Sequence, residues 1–371
     1  MAIKDSHETV PFFHSLSFPS GSSMKAILST TLLLFGPTLV RGLCQKYVDA
    51  ATTAAANLQS AYFSGGTYPS QPVWISAVDA WHLQRLDGLT GASTYSGVID
   101  TVFTNYENEL QNGGSYDDVQ WVSVAYLSAG NVDLAKKYYD IASTAVDSSY
   151  CGGGLFWSSA RDYKNAITNE LYLATSGYLY DVTQDTQYLT NLKNTWEWFD
   201  ASALRGSNGL YNDGLSKDGL CANNGQTQWT YNQGVVLVGL GFLYKYTQDE
   251  SAISTAWSIM DAILADLVDN GALRESCDST TAAACNNDQV SFKGILVEYM
   301  AWFLSITGRD NGTKYSDFIK LQADKVLQNA VGSAGSYSNL WYGSNAGGAV
   351  WTAPSQGAAL GAFVAAGAQS C

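Results

Sequence analysis

Apolar stretches of about 12 to 18 residues recur along the chain, separated by loops rich in Gly, Ser, Asn and Asp. In several neighbouring pairs the first stretch is more apolar than the second, as in VVLVGLGFLYKYT followed by ESAISTAWSIMDAILADLV. The first helix of such a pair is expected to line an interior, and the second to pack outside it. The pattern predicts twelve helices, near residues 45–63, 73–86, 94–109, 118–129, 131–146, 166–182, 185–200, 231–247, 250–268, 288–306, 311–330 and 354–368.

Twelve helices arranged as six hairpins predict an all-α fold, a single domain closed as an (α/α)6 barrel. A helical solenoid is the structural alternative, but the chain lacks the fixed repeat period that such arrays need. Four long loops, at residues 113–118, 151–165, 205–234 and 336–354, carry aromatic side chains. Loops of this length in a compact domain are usually functional, so we expect them to open on one face of the barrel that contains the site.

The N-terminal region has the features of a targeting segment. From residue 24 the sequence MKAILSTTLLLFGPTLVRG predicts a signal peptide over residues 24–42, since its apolar run is too short to span a bilayer. Residues 1–23 are polar and Ser-rich, and we treat them as a doubtful N-terminal extension. The catalytic barrel is therefore expected over residues 43–371. The C-terminal sequence GAALGAFVAAGAQSC fits a last barrel helix better than a lipid-anchor signal, so no membrane anchor is expected.

Composition and charge exclude several classes of partner. Aromatic residues make up 13% of the chain, charged residues only 14%, and the net charge is −14. Such a chain repels phosphate backbones and anionic lipid surfaces, so nucleic acid is not an expected partner. No long apolar seam is visible, and we expect a monomer. Asn311 begins an Asn-Gly-Thr sequon, a predicted glycosylation site that agrees with a secreted, extracellular or cell-wall location.

Six cysteines follow the predicted signal peptide, and six cysteines permit 15 pairings. Two of them lie close enough in sequence to close a short loop. A closed barrel brings its first and last helices together, which favours pairing the first cysteine with the last and leaves the remaining two for each other. The expected disulfides are Cys44–Cys371, Cys151–Cys221 and Cys277–Cys285. No Cys or His spacing typical of zinc is present, so neither a metal nor a cofactor is expected.

Two consecutive carboxylates, Asp117 and Asp118, stand at the start of the apolar helix VQWVSVAYL. Helix capping is one interpretation, because Asp is favoured at helix N-termini. Catalysis is the other: the pair follows a Gly-Gly turn, and like charges this close separate two pKa values as an acid and a nucleophile require. Neighbouring residues suit a retaining glycosidase, whose carboxyl groups lie about 5 Å apart. The flanking Tyr116 and Trp121 are expected to contact substrate.

The long loops and adjacent helix starts combine aromatic rings with amide and carboxyl groups, as sugar-binding clefts do. Core packing is the competing interpretation for each aromatic taken singly. The candidates for stacking are Phe156, Trp157, Trp229, Tyr231, Trp341, Tyr342 and Trp351. The candidates for polar contacts are Asn169, Glu170, Asn232 and Gln233.

Four segments, YDDVQWVSVAYL, RDYKNAITNELYL, QWTYNQGVVLVGLGFLY and SFKGILVEYM, resemble glycoside hydrolase family 76, the endo-α-1,6-mannanases of bacteria and fungi. The resemblance runs from about residue 45 to the C-terminus and implies an (α/α)6 barrel, a retaining mechanism and α-mannan as the substrate. It implies that Asp117 is the nucleophile and Asp118 the general acid/base. It also places the Asn-Glu and Tyr-Asn-Gln motifs, and the segment around Phe292 and Lys293, near the cleft.

Three competing functions stay open at this point. A cell-wall transglycosidase would use the same chemistry on mannan-bearing anchors but pass the sugar to another glycan. A non-catalytic mannan-binding protein would be expected to have lost one carboxylate, whereas both are present. A different six-hairpin enzyme, such as a glucanase or an unsaturated uronyl hydrolase, is the third, although the expected cleft loops offer few basic residues for a uronide.

Overall fold

The computed structural model describes residues 42–112, 114–344 and 347–371. The predicted N-terminal extension and signal peptide lie outside the described residues, except for Gly42. The α-helices follow in the order α1 (Gln45–Tyr62), α2 (Val73–Thr90), α3 (Val98–Val102), α4 (Glu107–Asn112), α5 (Tyr116–Ser128), α6 (Val132–Ser143), α7 (Ala166–Thr183), α8 (Thr186–Ala201), α9 (Thr230–Thr247), α10 (Glu250–Asp266), α11 (Asn287–Thr307), α12 (Lys314–Lys325) and α13 (Ala353–Gly367).

Six of these helices, α2, α5, α7, α9, α11 and α13, form a closed inner ring. Each packs against the next along the chain, and α13 returns to pack against α2. Their side chains are buried on nearly all sides, which explains why their sequences are apolar around the whole helix. The predicted (α/α)6 barrel is confirmed, and its core fills the ring.

An outer layer alternates with the inner ring along the chain. Helices α1, α6, α8, α10 and α12 each bury one face against inner helices and expose the other. The sixth outer position differs from the expected single helix at 94–109. It contains α3, a 3₁₀ turn at Thr104–Tyr106 and α4. That expectation was wrong because the run is rich in β-branched Thr, Val and Ile, which have low helix propensity.

The alternation of outer and inner helices sets the polarity of the barrel. Each outer helix carries the chain back, so the six inner helices run in one direction and their N-termini meet at one end. Several inner helices are capped there by polar side chains: Asn165 caps α7, and Asn286 forms a capping box with Gln289 at α11. The predicted long loops meet at this end. A short β-hairpin lies there as well, formed by the two-residue strands β1 (Val268–Asp269) and β2 (Ala272–Leu273).

Three disulfides connect the six cysteines in the pairings expected from the sequence: Cys44–Cys371, Cys151–Cys221 and Cys277–Cys285. The first joins the start of outer helix α1 to the residues after inner helix α13. The backbone N–H of Cys44 also donates to the carbonyl oxygen of Gly367 at 3.1 Å. The two ends of the described barrel are therefore held side by side.

One described helix, α11, is long and apolar enough to cross a membrane by length and composition. It is 83% buried inside the protein over its most apolar window. Its apolar length is accounted for by its place in the inner ring.

Candidate active site

A pocket of about 460 Å³ opens at the N-terminal ends of the inner helices. Helices α2, α5, α7, α9 and α11 or the residues just before them all contribute to it, together with two long loops. The lining comprises Pro72, Trp74, Ser115, Asp117, Asp118, Trp121, Trp157, Tyr163, Asn165, Asp213, Tyr231, Asp288 and Phe292. The structure thus brings together six of the residues selected from the sequence: Asp117, Asp118, Trp121, Trp157, Tyr231 and Phe292.

Asp117 and Asp118 are the second and third residues of α5, whose N-cap residue is Ser115. The backbone N–H of Asp118 donates to Oδ1 of Asp117 at 3.1 Å, and the Ser115 side chain hydrogen-bonds to the pair. The indole N–H of Trp157 donates to Asp117. The backbone N–H of Tyr116 donates to the carbonyl oxygen of Trp157 at 2.7 Å, which ties the 151–165 loop to this turn.

The electrostatic environment gives the two carboxyl groups different pKa values. Burial raises the pKa of Asp117 to about 6, with hydrogen bonds from Ser115, backbone N–H groups and Trp157 opposing the rise. Burial also raises the pKa of Asp118, and the charge of Asp117 raises it further, with smaller contributions from Glu109 and Asp288. The Asp117 carboxyl therefore ionises first, and its charge keeps a proton on Asp118. One carboxylate and one carboxylic acid side by side can act as a nucleophile and an acid.

Aromatic rings form one wall of the pocket. Tyr231 stacks on Phe292 with ring centroids 3.9 Å apart and planes 8° from parallel. Trp74 lies beside both Phe292, at 6.2 Å, and Trp121, at 5.8 Å. Trp157 stands at the edge and is 39% exposed. Such flat apolar surfaces match the faces of sugar rings.

Several lining residues were not predicted from the sequence, among them Trp74, Tyr163, Asp213 and Asp288. The Tyr163 hydroxyl donates to Asp213, and the Trp74 indole hydrogen-bonds to Asp288. Burial raises the pKa of both Asp213 and Asp288. A usable signal was present, since Trp74 and Asp288 are the second residues of inner helices α2 and α11, as Asp117 is of α5.

Asn169 and Gln233, predicted as polar contacts to substrate, lie outside the pocket lining and are fully buried. The Asn169 carboxamide accepts from the backbone N–H of Leu155 at 2.7 Å and donates to the carbonyl oxygens of Leu155 and Asn165. The Gln233 carboxamide accepts from the Tyr211 N–H at 2.8 Å and donates to its carbonyl oxygen at 2.9 Å. Both side chains hold long loops onto the ends of inner helices.

Four more predicted contacts are buried beneath the pocket or beside it. Lys293 forms an ion pair with Asp278 and lies over the ring of Trp341, 5.6 Å from its centroid. Asn232 donates from Nδ2 to Oε2 of Glu170 at 3.2 Å. All of these side chains are at most 2% exposed, so they support the site from behind.

The other predicted aromatics also lie outside the lining, namely Phe156, Tyr342, Trp229, Tyr116 and Trp351. Trp229 packs edge-on against Phe292 with centroids 5.5 Å apart. Tyr116 packs against a second apolar cluster, and Trp351 lies over Gly332 with 39% of its surface exposed. Successive residues of a helix point about 100° apart, so Tyr116 can face the apolar cluster while Asp117 and Asp118 line the pocket.

No group of three or more His, Cys, Asp or Glu side chains is arranged to hold a metal ion within the described ranges. The pocket chemistry available from this chain is that of carboxyl groups, hydroxyls, amides and aromatic rings.

Two solved structures illustrate the similarity in fold. The α-1,6-mannanase GH76A of Salegentibacter sp. HEL1_6, as an inactive variant in complex with α-1,6-mannotetrose, has a TM-score of 0.78 at 20% identity, covering 86% of this chain and 98% of that chain. Dfg5 from Chaetomium thermophilum, in complex with glucosamine, has a TM-score of 0.74 at 19% identity, covering 88% and 92%. These similarities show a shared fold.

Curated relatives are more similar in sequence over shorter stretches. The mannan endo-1,6-alpha-mannosidase DCW1 of Saccharomyces cerevisiae is 31% identical over 184 residues, 47% of this chain and 39% of that protein. A putative mannan endo-1,6-alpha-mannosidase of Schizosaccharomyces pombe is 26% identical over 296 residues, 69% of this chain and 65% of that protein. The matches thus span less than two thirds of the length of these relatives. A family model described as glycosyl hydrolase family 76 matches residues 46–370. The chain therefore belongs to glycosyl hydrolase family 76.

Proposed function

We propose that the protein is a retaining, endo-acting glycoside hydrolase that cleaves α-1,6-mannosidic linkages in mannan. The observation that carries this proposal is the pair Asp117 and Asp118 at the start of an inner helix, in an aromatic-walled pocket, with electrostatics that leave one ionised and one protonated. An open pocket at one face of the barrel can accept an internal stretch of a chain, as endo-cleavage requires.

In the first step the Asp117 carboxylate attacks the anomeric carbon C1 and forms a covalent ester. The bond from C1 to O6 of the leaving sugar breaks, and Asp118 gives its proton to that oxygen. Asp118 is suited to this role because burial and the neighbouring charge raise its pKa.

In the second step a water attacks the same carbon from the opposite side. Asp118, now a carboxylate, takes a proton from that water, and the bond between C1 and Asp117 breaks. The two inversions restore the starting α configuration. One glycosidic bond and one water are consumed, and both aspartates return to their starting protonation states.

Related proteins support the proposal. The Salegentibacter α-1,6-mannanase bound to α-1,6-mannotetrose is an inactive variant in which two consecutive aspartates are replaced by alanine. The Saccharomyces cerevisiae and Schizosaccharomyces pombe relatives carry the description mannan endo-1,6-alpha-mannosidase. A consecutive Asp pair and a shared fold make α-1,6-mannan the first substrate to test.

Transglycosylation is the second candidate function. The acidic lining of the pocket supports it, because such a lining can bind an amino sugar of an acceptor or donor glycan. Four carboxyl groups, Asp117, Asp118, Asp213 and Asp288, line the pocket, whereas its lining contains neither Lys nor Arg. Such a site attracts a protonated amino sugar, and the fold neighbour Dfg5 is described in complex with glucosamine. In that case a sugar hydroxyl, rather than water, would attack the glycosyl ester on Asp117.

The test is incubation of the purified protein with linear α-1,6-mannan, with β-glucan and a uronide polymer as parallel substrates. Products are separated by size, and their anomeric configuration is followed by NMR from the first minutes. We expect a mixture of short mannooligosaccharides whose new reducing ends are initially α.

Other outcomes would point elsewhere. Initial β anomers would indicate inversion, and mannose alone would indicate exo-cleavage. Longer chains formed when an acceptor glycan is added would identify the transglycosidase. Binding of mannan without any bond cleavage would leave a non-catalytic mannan-binding protein.

We also propose that the barrel is secreted and acts outside the cell or in the cell wall. Three disulfides within the described residues are typical of an oxidising compartment. The Asn311 sequon is exposed and lies after the C-terminal end of α11, at the end of the barrel away from the pocket. A glycan there would leave the pocket open, and mass spectrometry of the secreted protein, with and without a glycosidase, would detect it.

A further inference from the structure

Two fully buried polar side chains meet beneath the pocket with one unused atom each. Asn232 Nδ2 donates to Glu170 Oε2 at 3.2 Å, and both residues are 0% exposed. The second carboxyl oxygen, Glu170 Oε1, and the amide oxygen, Asn232 Oδ1, have no hydrogen-bond partner among the described residues. Buried polar atoms without partners are rare and costly, so this arrangement requires a physical explanation.

An ionised carboxylate offers no explanation, because it has only acceptors and the amide oxygen is also an acceptor. A neutral carboxylic acid resolves the deficit. Its O–H can donate to the Asn232 oxygen while its carbonyl oxygen accepts from the Asn232 N–H. The two groups then form a cyclic pair with two parallel hydrogen bonds, and neither partner is left with an unused oxygen.

The surroundings of Glu170 also disfavour its charge. It takes part in no ion pair within the described part of the chain, and burial is the main cause that raises its pKa well above the usual range. The titratable groups that face it are Asp213 and Tyr211 from the 205–229 loop and Tyr231 from α9. The negative charge of Asp213 disfavours a second negative charge on Glu170, and the two tyrosines are neutral at physiological pH.

We propose that Glu170 is a neutral carboxylic acid in a cyclic pair with the Asn232 carboxamide, and that this pair is a positioning element for the pocket. It joins the N-terminal parts of α7 and α9. Asn165, the N-cap residue of α7, and Tyr231, in the first turn of α9, both line the pocket. The positioning role rests on the function proposed above, whereas the protonation state of Glu170 does not depend on it.

The decisive variant is Glu170→Gln, since glutamine keeps the shape of the neutral acid and can make both hydrogen bonds. Glu298 supplies a matched control, because it is an equally buried glutamate with cationic partners. Its carboxylate lies 3.4 Å from the guanidinium of Arg85 and 3.0 Å from Nε2 of His82. Glu298→Gln removes the negative charge that faces Arg85, so we expect it to lower the melting temperature.

The protonation state is read by infrared spectroscopy and by stability as a function of pH. The wild-type minus E170Q difference spectrum at neutral pH should contain the C=O band of a protonated carboxyl group. A raised folded-state pKa means that wild-type stability falls as pH rises, whereas residue 170 no longer titrates in E170Q. The melting temperature of E170Q relative to wild type should therefore increase between about pH 5 and pH 8. Absence of the band, with a pH-independent difference, would overturn the proposal.

The positioning role is tested by measuring kcat and KM on α-1,6-mannan. We expect E170Q to keep kcat/KM within about threefold of wild type, while Glu170→Ala and Asn232→Leu lower it at least tenfold, mainly in kcat, with the fold intact by circular dichroism. A large loss in E170Q equal to that in Glu170→Ala would contradict a neutral acid at this position. If wild type itself is inactive on mannan, the proposed function fails, and the infrared and stability results still decide the protonation state.

Discussion

At the scale of single residues, the pocket derives its chemistry from the different environments of two adjacent carboxyl groups. Asp117 receives hydrogen bonds from Ser115 and Trp157, which favour its charged form. Burial and the charge of Asp117 raise the pKa of Asp118. Similar side chains therefore acquire different roles from position alone, since one residue step along a helix changes both partners and solvation.

Replacing either aspartate by asparagine should remove turnover while leaving the fold intact. Asp118→Asn removes the proton donor, and we expect a loss of about 10²- to 10⁴-fold in kcat. Asp117→Asn removes the attacking carboxylate and should leave no measurable activity. Asp133→Asn, on the exposed face of α6, is the matched control and should behave as wild type. Circular dichroism and initial rates on α-1,6-mannan measure both properties, and substantial activity in both single variants would contradict the assignment.

The pH dependence of kcat/KM should be bell-shaped, with both limbs set by the coupled pair. Activity should fall on the acid side as Asp117 becomes protonated, around its pKa of about 6. It should fall on the alkaline side as Asp118 loses its proton. Trp157→Phe removes an indole N–H that favours the charged form of Asp117, so the acid limb should move to higher pH. An unchanged acid limb in this variant would show that the indole does not influence the nucleophile.

The same shifts predict a stability effect. A folded-state pKa raised above the unfolded value means that the Asp117 carboxyl destabilises the fold progressively as pH rises from about 4 to about 6. Asp117→Asn should therefore melt at a higher temperature than wild type above about pH 6 and show little difference near pH 4. Thermal melts at both pH values measure it, and a higher melting temperature for wild type at neutral pH would contradict the shift.

At the scale of elements, the inner helices approach one another closely where glycine replaces a larger side chain. A Cβ atom added to Gly294 on α11 would lie 2.4 Å from the Cα of Ala358 on α13. A Cβ added to Gly88 on α2 would meet no atom within 4 Å. Two glycines in the same ring therefore have different roles, because only one lies at a helix contact.

Substitution of these two glycines by alanine should change stability in opposite directions. Gly294→Ala should lower the free energy of unfolding by about 1–3 kcal/mol, because the added methyl group forces α11 and α13 apart. Gly88→Ala should raise it by about 0.5–1 kcal/mol, because alanine is the better helix former. Denaturant titration of both variants gives the comparison, and equal effects would show that the inner ring tolerates a wider spacing than the structure has.

At the scale of the whole molecule, closure of the ring brings residues from the two ends of the described chain together. Cys44 and Cys371 are separated by 327 residues in sequence, and Cys277 and Cys285 by 8. Chain entropy predicts that a disulfide stabilises more when it closes a longer loop. Removal of Cys44–Cys371 by paired serine substitution should cost roughly 6 kcal/mol on that basis, against roughly 2.5 kcal/mol for Cys277–Cys285.

Thermal melts of the two double-serine variants test this order. The Cys44–Cys371 variant should melt at the lower temperature, with fraying expected first at α1 because it loses its covalent tie to the barrel. Hydrogen exchange at α1 provides the local measurement. Equal melting temperatures would mean that the packing of α1 against α13 holds the ends together without the bond.

The sequence by itself determined the helical barrel, the disulfide pairings and the acidic pair. Helix period, loop composition and cysteine order are local or topological properties, readable without coordinates, and the resemblance added the family. Convergence of distant residues depends on closure of the ring and was decided only by the tertiary structure. Trp74, Asp213 and Asp288 join the pocket for that reason. Glu170 and Lys293, which were expected near the cleft, lie behind it. The sequence could not show this, since a motif does not indicate which face of a helix is turned toward its neighbours.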